Sequence, residues 1–479
     1  MEDFREIVFG RTDAQTESEE YPNLLIDGYL NTTNIVGNAT NKTTFLFMGY
    51  KGSGKSALSE HLKLSYRDGI VKQVPLKDFP YNSLGNILTG EAEKEVKLKI
   101  AWRWLLLTYA LSILMDDTAA KCELQQEFDD AIKLLTQTGL FPLTNISDLV
   151  RKTNTSSFKA AMKAFSYEHT TQKESVQVSL YFAIDYIKKL IISFKEEHNH
   201  LIIIDGLDEI LTTREVQYAA IAALMNEARD LNSFFLKNNI TIKILLLCRT
   251  DIFERLPDPN KNKIRQDCSF SLSWYYEGLD KRRCDLVKLA NLRTQMRYPE
   301  VKDLFNTFFP KQFNHEDTVT ILLEYTRHTP RDFLQLLNCI QRQCKGNRVV
   351  YNDINNGLKV YSSEYFLPEI KDEMVGYIPA DCIDEIINIF AVMRSHEFKY
   401  DQFASLFNKN PALAGLSIDK VLRVLYDCSA IGQRFFYKDG NNGTQSRTSF
   451  KYRNRNSTIS NTDLFILHKG LRKALNVNS

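Results

Sequence analysis

The 479-residue sequence predicts an α/β fold: a mostly parallel sheet with helices on both faces, a large helical insertion, an all-helical segment, and a domain of three helices and a β-hairpin. Three observations lead there. Residues 43–48 are a short apolar run that leads into Gly49-Tyr50-Lys51-Gly52-Ser53-Gly54-Lys55-Ser56 and then a helical stretch, a strand–loop–helix unit. The runs Leu201-Ile202-Ile203-Ile204-Asp205 and 241–248 have the aliphatic, partly β-branched character of strands buried on both faces. Strands that alternate with helices imply a mostly parallel sheet.

Composition sets the outer limits. The chain has room for about three domains. Its 43% hydrophobic and 25% charged residues are ordinary for a globular protein, and a net charge of +2 makes every electrostatic argument a local one. The start, Met1-Glu2-Asp3-Phe4-Arg5-Glu6, lacks the apolar core of a secretory signal. Residues 101–115 contain Arg103 and fall short of the roughly 18 uncharged residues a membrane helix wants. They read as a buried helix, with Trp102 and Trp104 in the core. The eight cysteines form no C-x-x-C pair, and the Cys339/Cys344 spacing is not a usual metal spacing. A cytoplasmic chain with reduced thiols and no membrane contact is expected.

Along the chain, 1–42 reads as a lead-in, although Phe9 to Ala14 could pack against a nucleotide base. Residues 43–275 form the core, with a second strand at 70–76 and a last one at 269–274. The insertion occupies about 84–197, with helices at 94–115, 119–135, 157–166 and 176–194; a further helix spans 213–237. Residues 276–350 form a helical lid. Residues 351–479 comprise a connector at 352–367 and a winged-helix pattern: helices at 382–393, 400–407 and 418–429, strands at 433–437 and 448–452 around a Gly-rich and Asn-rich turn, and a closing helix at 463–475.

The chemistry centres on the first loop. Gly49, Gly52 and Gly54 permit backbone angles that side chains forbid, so the N–H groups from Lys51 through Gly52, Ser53, Gly54, Lys55, Ser56 and Ala57 can face a phosphate. The following helix adds its dipole. Lys55 supplies charge for the terminal phosphates, and Ser56 a hydroxyl for Mg²⁺. Asp205, at a strand end, is placed to hold the same metal. Asp208, then Glu209, are the carboxylates expected to orient or deprotonate the attacking water, the plain alternative being a helix N-cap. Arg249 ends the strand expected between the loop strand and the Asp205 strand, where it either senses the γ-phosphate or pairs with Asp251. Arg331, after Pro330 at a helix start, is placed to reach the nucleotide from the lid. Lys263 and Arg265 either reach a neighbouring subunit's nucleotide in a homo-oligomer or form a solvated basic loop.

The two motifs, the second reading Ile202-Ile203-Ile204-Asp205-Gly206-Leu207-Asp208-Glu209, resemble those of the STAND and AAA-like branch of P-loop ATPases, whose second motif is hhhhDGhDE. The Pro330-Arg331 pair in a helical lid and the following winged helix are similar to that branch. The stretch from Phe465 through His468 and Gly470 to Leu475 looks like the end of bacterial stand-alone P-loop ATPases, some found near phage-defence genes. The resemblance implies ATP, Mg²⁺ and a nucleotide-driven conformational or assembly switch, with a role in defence against phage or mobile DNA. Two departures stand against the branch's usual switch: no repeat array follows the winged helix, and the insertion is large.

Basic residues dominate the wing. Arg434, Lys438, Arg447, Lys451, Arg453 and Arg455 alternate with Phe435, Phe436, Tyr437, Phe450 and Tyr452, and Lys469, Arg472 and Lys473 follow. DNA is therefore a candidate partner through 434–455. The alternative is aromatic packing with a solvated cationic face. The rival functions are a DNA-dependent ATPase or loader, a non-hydrolysing ATP-binding regulatory module, and a small-molecule kinase, the last disfavoured by the winged-helix tail. A protein effector is a candidate partner for the insertion. ATP over GTP follows from the resemblance, and no N-K-x-D segment stands after Asp205.

Overall fold

The computed structural model describes residues 2–41, 43–77, 79–84, 93–137, 139–141, 145–153, 176–195, 197–207, 215–439 and 443–477. Its centre is a five-stranded sheet of β1 (Leu46–Gly49), β2 (Val71–Pro75), β3 (His200–Asp205), β4 (Ile242–Arg249) and β5 (Ser269–Ser271). The order is β2-β3-β4-β1-β5, with every pairing parallel. This is the α/β P-loop NTPase fold with a helical lid. The strand that ends at Arg249 lies between the loop strand and the Asp205 strand, as the sequence predicts.

Each central strand serves two cores because successive side chains alternate faces. Leu46, Met48, Ile202, Ile204, Ile244 and Leu246 face one side; Phe47, Leu201, Ile203, Leu245 and Leu247 face the other. The N-terminal helix α1 (Ala14–Glu20) precedes β1, and α2 (Lys55–Ser65) follows it and packs Leu58 and Leu62 on the second face. The first face is covered by α3 (Lys94–Asp116) and α4 (Val176–Ile192) of the insertion together with α5 (Glu215–Lys237).

The insertion is therefore structural as well as added. Trp102 and Trp104 are fully buried, and Trp102 Nε1 donates to Ala220 O at 2.8 Å. Arg103, the charge within the apolar run, reaches buried Glu227 at 2.6 Å. Residues 95–116 are the one described stretch long and apolar enough to cross a membrane, and 83% of its apolar window is buried inside the fold. The helix expected at 119–135 begins later, at Gln125–Gln137. Lys121–Cys122 pairs instead with Phe194–Lys195, which also shortens the helix expected at 176–194. The helix expected at 157–166 lies outside the described residues.

The lid contains α6 (Asp285–Arg297), α7 (Pro330–Gln343), α8 (Tyr351–Val360) and α9 (Leu367–Met374), with a π-helical turn at Tyr361–Phe366 joining the last two. Two expectations are corrected here. Residues 352–367 are not a connector but helix packed on α7. Gly357 makes this contact: a Cβ there would lie 2.6 Å from Ile340 Cα. The lid is also not wholly helical, since Gln312–Phe313 and Glu316–Asp317 form a small ribbon. The N-terminal lead-in is a packed strap. Phe4, Ile7 and Phe9 lie in the lid core, and Arg293 holds Glu17 of α1 in a buried pair at 2.6 Å.

The C-terminal domain has α10 (Ala380–Met393), α11 (Tyr400–Asn408) and α12 (Ile418–Asp427). Its strands are β6 (Glu397–Phe398), β7 (Ile431–Asp439), β8 (Gly443–Ser449) and β9 (Leu464–Leu467), antiparallel in the order β6-β9-β7-β8. The helix expected at 463–475 is thus wrong in its first half. Leu464–Leu467 sits between β6 and β7 as a buried strand, and only Lys469–Arg472 is helical, capped by His468. The second wing strand, expected at 448–452, runs earlier and ends at Ser449.

Candidate nucleotide site

The loop from Gly49 to Ser56 leaves the C-terminal end of β1, where α/β sheets bind ligands. Gly52 (φ 80°) and Gly54 (φ 94°) take the left-handed backbone that bends the loop. Gly49 is needed for a different reason: a Cβ there would meet Ser53 Oγ at 2.1 Å. Lys55 opens α2, is 4% exposed, and its Nζ lies 3.3 Å from Gly49 O and Tyr50 O. Ser56 is exposed and Ala57 half-buried on the first turn. From outside the loop, Trp274 Nε1 donates to Ser53 O at 2.9 Å.

Asp205 ends β3 half-buried, two strands from β1, with Gly206 N donating to its Oδ1 at 2.7 Å. Gly206 takes φ 84°, and a Cβ on it would crowd Leu76 N at 3.1 Å, so the chain turns sharply past the carboxylate. Asp208 and Glu209 lie outside the described residues. Arg249 is in register with Gly49 across β1 and β4, and its guanidinium forms two 2.9 Å bonds to Asp251. Burial would raise the Asp251 pKa; the Arg249 charge outweighs it and holds the carboxyl below its ordinary range. Ser56 and Asp205, the residues the sequence points to for Mg²⁺, both carry oxygen donors. Among the described residues no cluster of three or more His, Cys, Asp or Glu side chains forms a metal site by itself. A hydroxyl and one carboxylate are the kind of donors that hold an ion shared with phosphates.

Arg331 reaches the loop. Thr329 caps α7 by accepting from Asp332 N at 3.2 Å, and Pro330 starts the helix. Arg331 N then lies 3.3 Å from Gly52 O, and a Cβ on Gly52 would lie 3.1 Å from Arg331 Cβ. Arg331, Gln335, Asn338 and Arg342 fall on one stripe of α7. The last three border a cavity of about 440 Å³ whose opposite wall is the strap Arg5 to Thr12, including Phe9 and Gly10. Lys263 and Arg265 are not in a loop but on a short helix, Lys261–Cys268. Lys263 is exposed, while Arg265 pairs with Glu254 and lies over the Phe253 ring.

A buried ion network behind the loop escaped the sequence reading. Arg327 is held by Asp332 at 2.9 and 3.0 Å and by Glu373, and Tyr365 donates to Asp332 at 2.9 Å. Glu369 Oε2 lies 3.9 Å from Arg327 and 3.1 Å from Lys51 Nζ, so the network ends on the loop itself. The only sequence signal was local: Arg327 and Asp332 flank the Pro330 helix start. Tyr50 also escaped notice; its hydroxyl lies 3.3 Å from Lys451 O of the wing.

Most of the described wing cations are engaged by groups of the chain itself. Arg434 pairs with Glu397, Arg447 with Glu277 and Lys469 with Glu324. Lys451 and Lys473 donate to Ser457 O and Asn355 Oδ1, and Arg472 to Leu467 O. Arg453 lies over the Tyr275, Phe450 and Tyr452 rings. Arg455 is exposed, as are Phe436 and Tyr437 on the hairpin.

Comparison with known proteins gives likenesses in family and in fold. The family described as the FunZ-associated C-terminal helical domain matches residues 284–367, which run from α6 through α8 and the π-helical turn to the first residue of α9. The structure of the Aeropyrum pernix Orc1 protein in complex with DNA is similar at a TM-score of 0.34 and 11% identity, over 91% of this chain and 86% of that one. No curated protein matches the sequence.

Proposed function

We propose that the chain binds ATP with Mg²⁺ and hydrolyses it slowly, as a conformational or assembly switch. One observation supports the reading: the Gly49–Ser56 loop at the sheet's C-terminal end meets the start of α7, with Arg331 N 3.3 Å from Gly52 O. The loop N–H groups and Lys55 hold the β- and γ-phosphates, and Arg331 neutralises charge on the terminal phosphate as it develops. Ser56 and Asp205 hold Mg²⁺, which when bound supplies Lewis-acid polarisation of the phosphate oxygens. Asp208, with Glu209 in reserve, orients the attacking water, and Arg249 remains with Asp251. The cavity between the strap and α7 receives the nucleoside, since its lining continues the Arg331 stripe. Ligand release, lid motion and wing docking would then be coupled through Lys51 and Glu369. A role in defence against phage or mobile DNA rests on the family resemblance.

A DNA-gated ATPase is the second reading, favoured by the exposed Phe436 and Tyr437 at the wing, aromatic faces on which bases can stack. Phosphate release with ATP and Mg²⁺, with and without single- and double-stranded DNA, tests both readings. Turnover lost in Lys55→Ala and indifferent to DNA supports the switch. Turnover that rises with DNA moves the second reading ahead. A rate equal to buffer in the native chain removes the hydrolase and leaves a nucleotide-binding module. Asp208→Asn is expected to keep ATP binding and lose hydrolysis; retained hydrolysis would shift that role to Glu209.

A further inference from the structure

A cavity of about 380 Å³ lies beside the phosphate loop at the ends of β1 and β5, with Thr250, just past β4, also in its wall. Its lining includes Gly49, Tyr50 and Ser53 from the loop but, among the described residues, not Lys55, Ser56 or Asp205. Asp205 lies across the sheet in the other direction, beyond β4. The cavity therefore borders the phosphate loop without including the side chains proposed for the terminal phosphates and the metal. Its far wall is the wing segment Tyr452 to Asn456, and its volume is at the small end of ligand pockets.

Two buried polar atoms of the lining, Ser53 Oγ and His328 Nε2, have no hydrogen-bond partner among the described residues. Buried polar groups are seldom left so, and two bordering one cavity mark a place that a ligand would fill. His328 is 5% exposed and takes φ 52°, a left-handed backbone uncommon for histidine. That backbone sets its ring between Tyr275 and Tyr452, at 5.1 and 5.6 Å. The lining carries Arg327, which is paired with Asp332 behind the cavity, and Arg453 and Arg455, and among the described residues it includes no carboxylate. The positive surroundings register on the histidine itself. Burial first, then the charges of Arg453 and Lys281, press its pKa down to about 3.

We propose that this cavity is a second ligand site, beside the phosphate loop but apart from Lys55, Ser56 and Asp205, that takes a small phosphorylated anion through Ser53 Oγ, His328 Nε2 and the Arg453 guanidinium. The bound anion would offset the charge of Arg453 and satisfy both unpaired atoms at once. It would also bridge the loop, the lid and the wing, because Ser53, His328 and Arg453 come one from each. Wing docking and occupancy of this site would then be linked.

Calorimetric titration of the full chain with inorganic pyrophosphate tests the site, in a Lys55→Ala background that weakens the phosphate loop. Saturable binding is expected there, weakened about tenfold or more by His328→Asn and, separately, by Arg453→Gln. Asparagine tolerates the left-handed backbone better than other replacements, and Arg453→Gln gives an independent reading if the histidine variant does not fold. With Lys55 intact, the same two substitutions are expected to leave ATP affinity within about twofold of native. Absence of saturable pyrophosphate binding to the Lys55→Ala chain overturns the proposal. So does binding indifferent to both substitutions, or an equal loss of pyrophosphate and ATP binding, which would make the cavity a lobe of the nucleotide site. A chain that binds pyrophosphate as expected but not ATP would defeat the nucleotide reading and leave this site standing.

Discussion

Lys55 and Asp332 show how differently two buried charges are used at this site. Lys55 Nζ lies against the carbonyls of Gly49 and Tyr50 at the start of α2, the position proposed above to meet the terminal phosphates. Lys55→Ala is expected to weaken ATP binding by about 2 kcal/mol, roughly thirtyfold, with little loss of stability; equilibrium binding with a fluorescent ATP analogue checks it. Asp332 serves the fold instead. Burial alone would raise its pKa, but the Arg327 guanidinium and the Tyr365 hydroxyl outweigh burial and hold it below its ordinary range. A carboxyl depressed in the folded state binds fewer protons there than in the unfolded chain, so its contribution is complete above about pH 4, the unfolded value, and is lost as pH falls through the folded value. Asp332→Ala leaves Arg327 buried without its main counter-charge and is expected to cost about 3–5 kcal/mol. Urea unfolding at pH 7 checks the cost. Asp332→Asn should flatten the acid limb of a stability–pH profile; an unchanged limb would assign acid sensitivity to other carboxylates.

At the scale of elements, the start of α7 decides how lid and loop communicate. Pro330 and the Thr329 cap fix where the helix begins, and that fixes Arg331 against Gly52. Arg331→Ala is expected to lower turnover roughly ten- to a hundredfold while ATP affinity changes little, since the arginine is assigned to charge that develops in the transition state. Steady-state kinetics beside equilibrium binding separate the two; a change confined to affinity would make Arg331 a ground-state contact. The elements also show what the sequence could carry. The loop and the central strands were legible because their signals are local: glycines at fixed spacing, and uninterrupted aliphatic runs where both faces are buried. Leu464–Leu467 was misread as helix because a four-residue apolar run has no period of its own, and its identity comes from pairing with β6 and β7. The α8 segment was misread because Asn355, Asn356 and Gly357 lower helix propensity, while the gain from packing Gly357 on Ile340 is tertiary. The strap and the Arg327 network were invisible for the same reason. Glu17 meets Arg293, and Lys51 meets Glu369, only after the chain has folded.

At the scale of the molecule, the wing sits on the nucleotide domain through contacts that are individually small. Arg255 reaches Asp427 at 3.7 Å and lies 4.2 Å from the Tyr377 ring, Arg447 pairs with Glu277, and Arg453 lies over Tyr275. Exposed ion pairs contribute about 0–1 kcal/mol each and cation–π contacts somewhat more when desolvated. Such a set makes the docked wing favoured without locking it, and high salt should loosen it. Because Tyr50 of the loop meets Lys451 of the wing, undocking exposes the loop's flank. Combining Arg255→Ala with Tyr275→Ala is expected to loosen docking by about 1–2 kcal/mol, roughly tenfold in the undocked fraction. Two measurements should then move together: faster limited proteolysis between the lid and β6, and faster release of a bound fluorescent nucleotide. Faster proteolysis with an unchanged release rate would mean that the wing docks beside the site without governing it. The coupling would then have to run through Lys51, Glu369 and the buried Arg327 network, which the double substitution leaves intact.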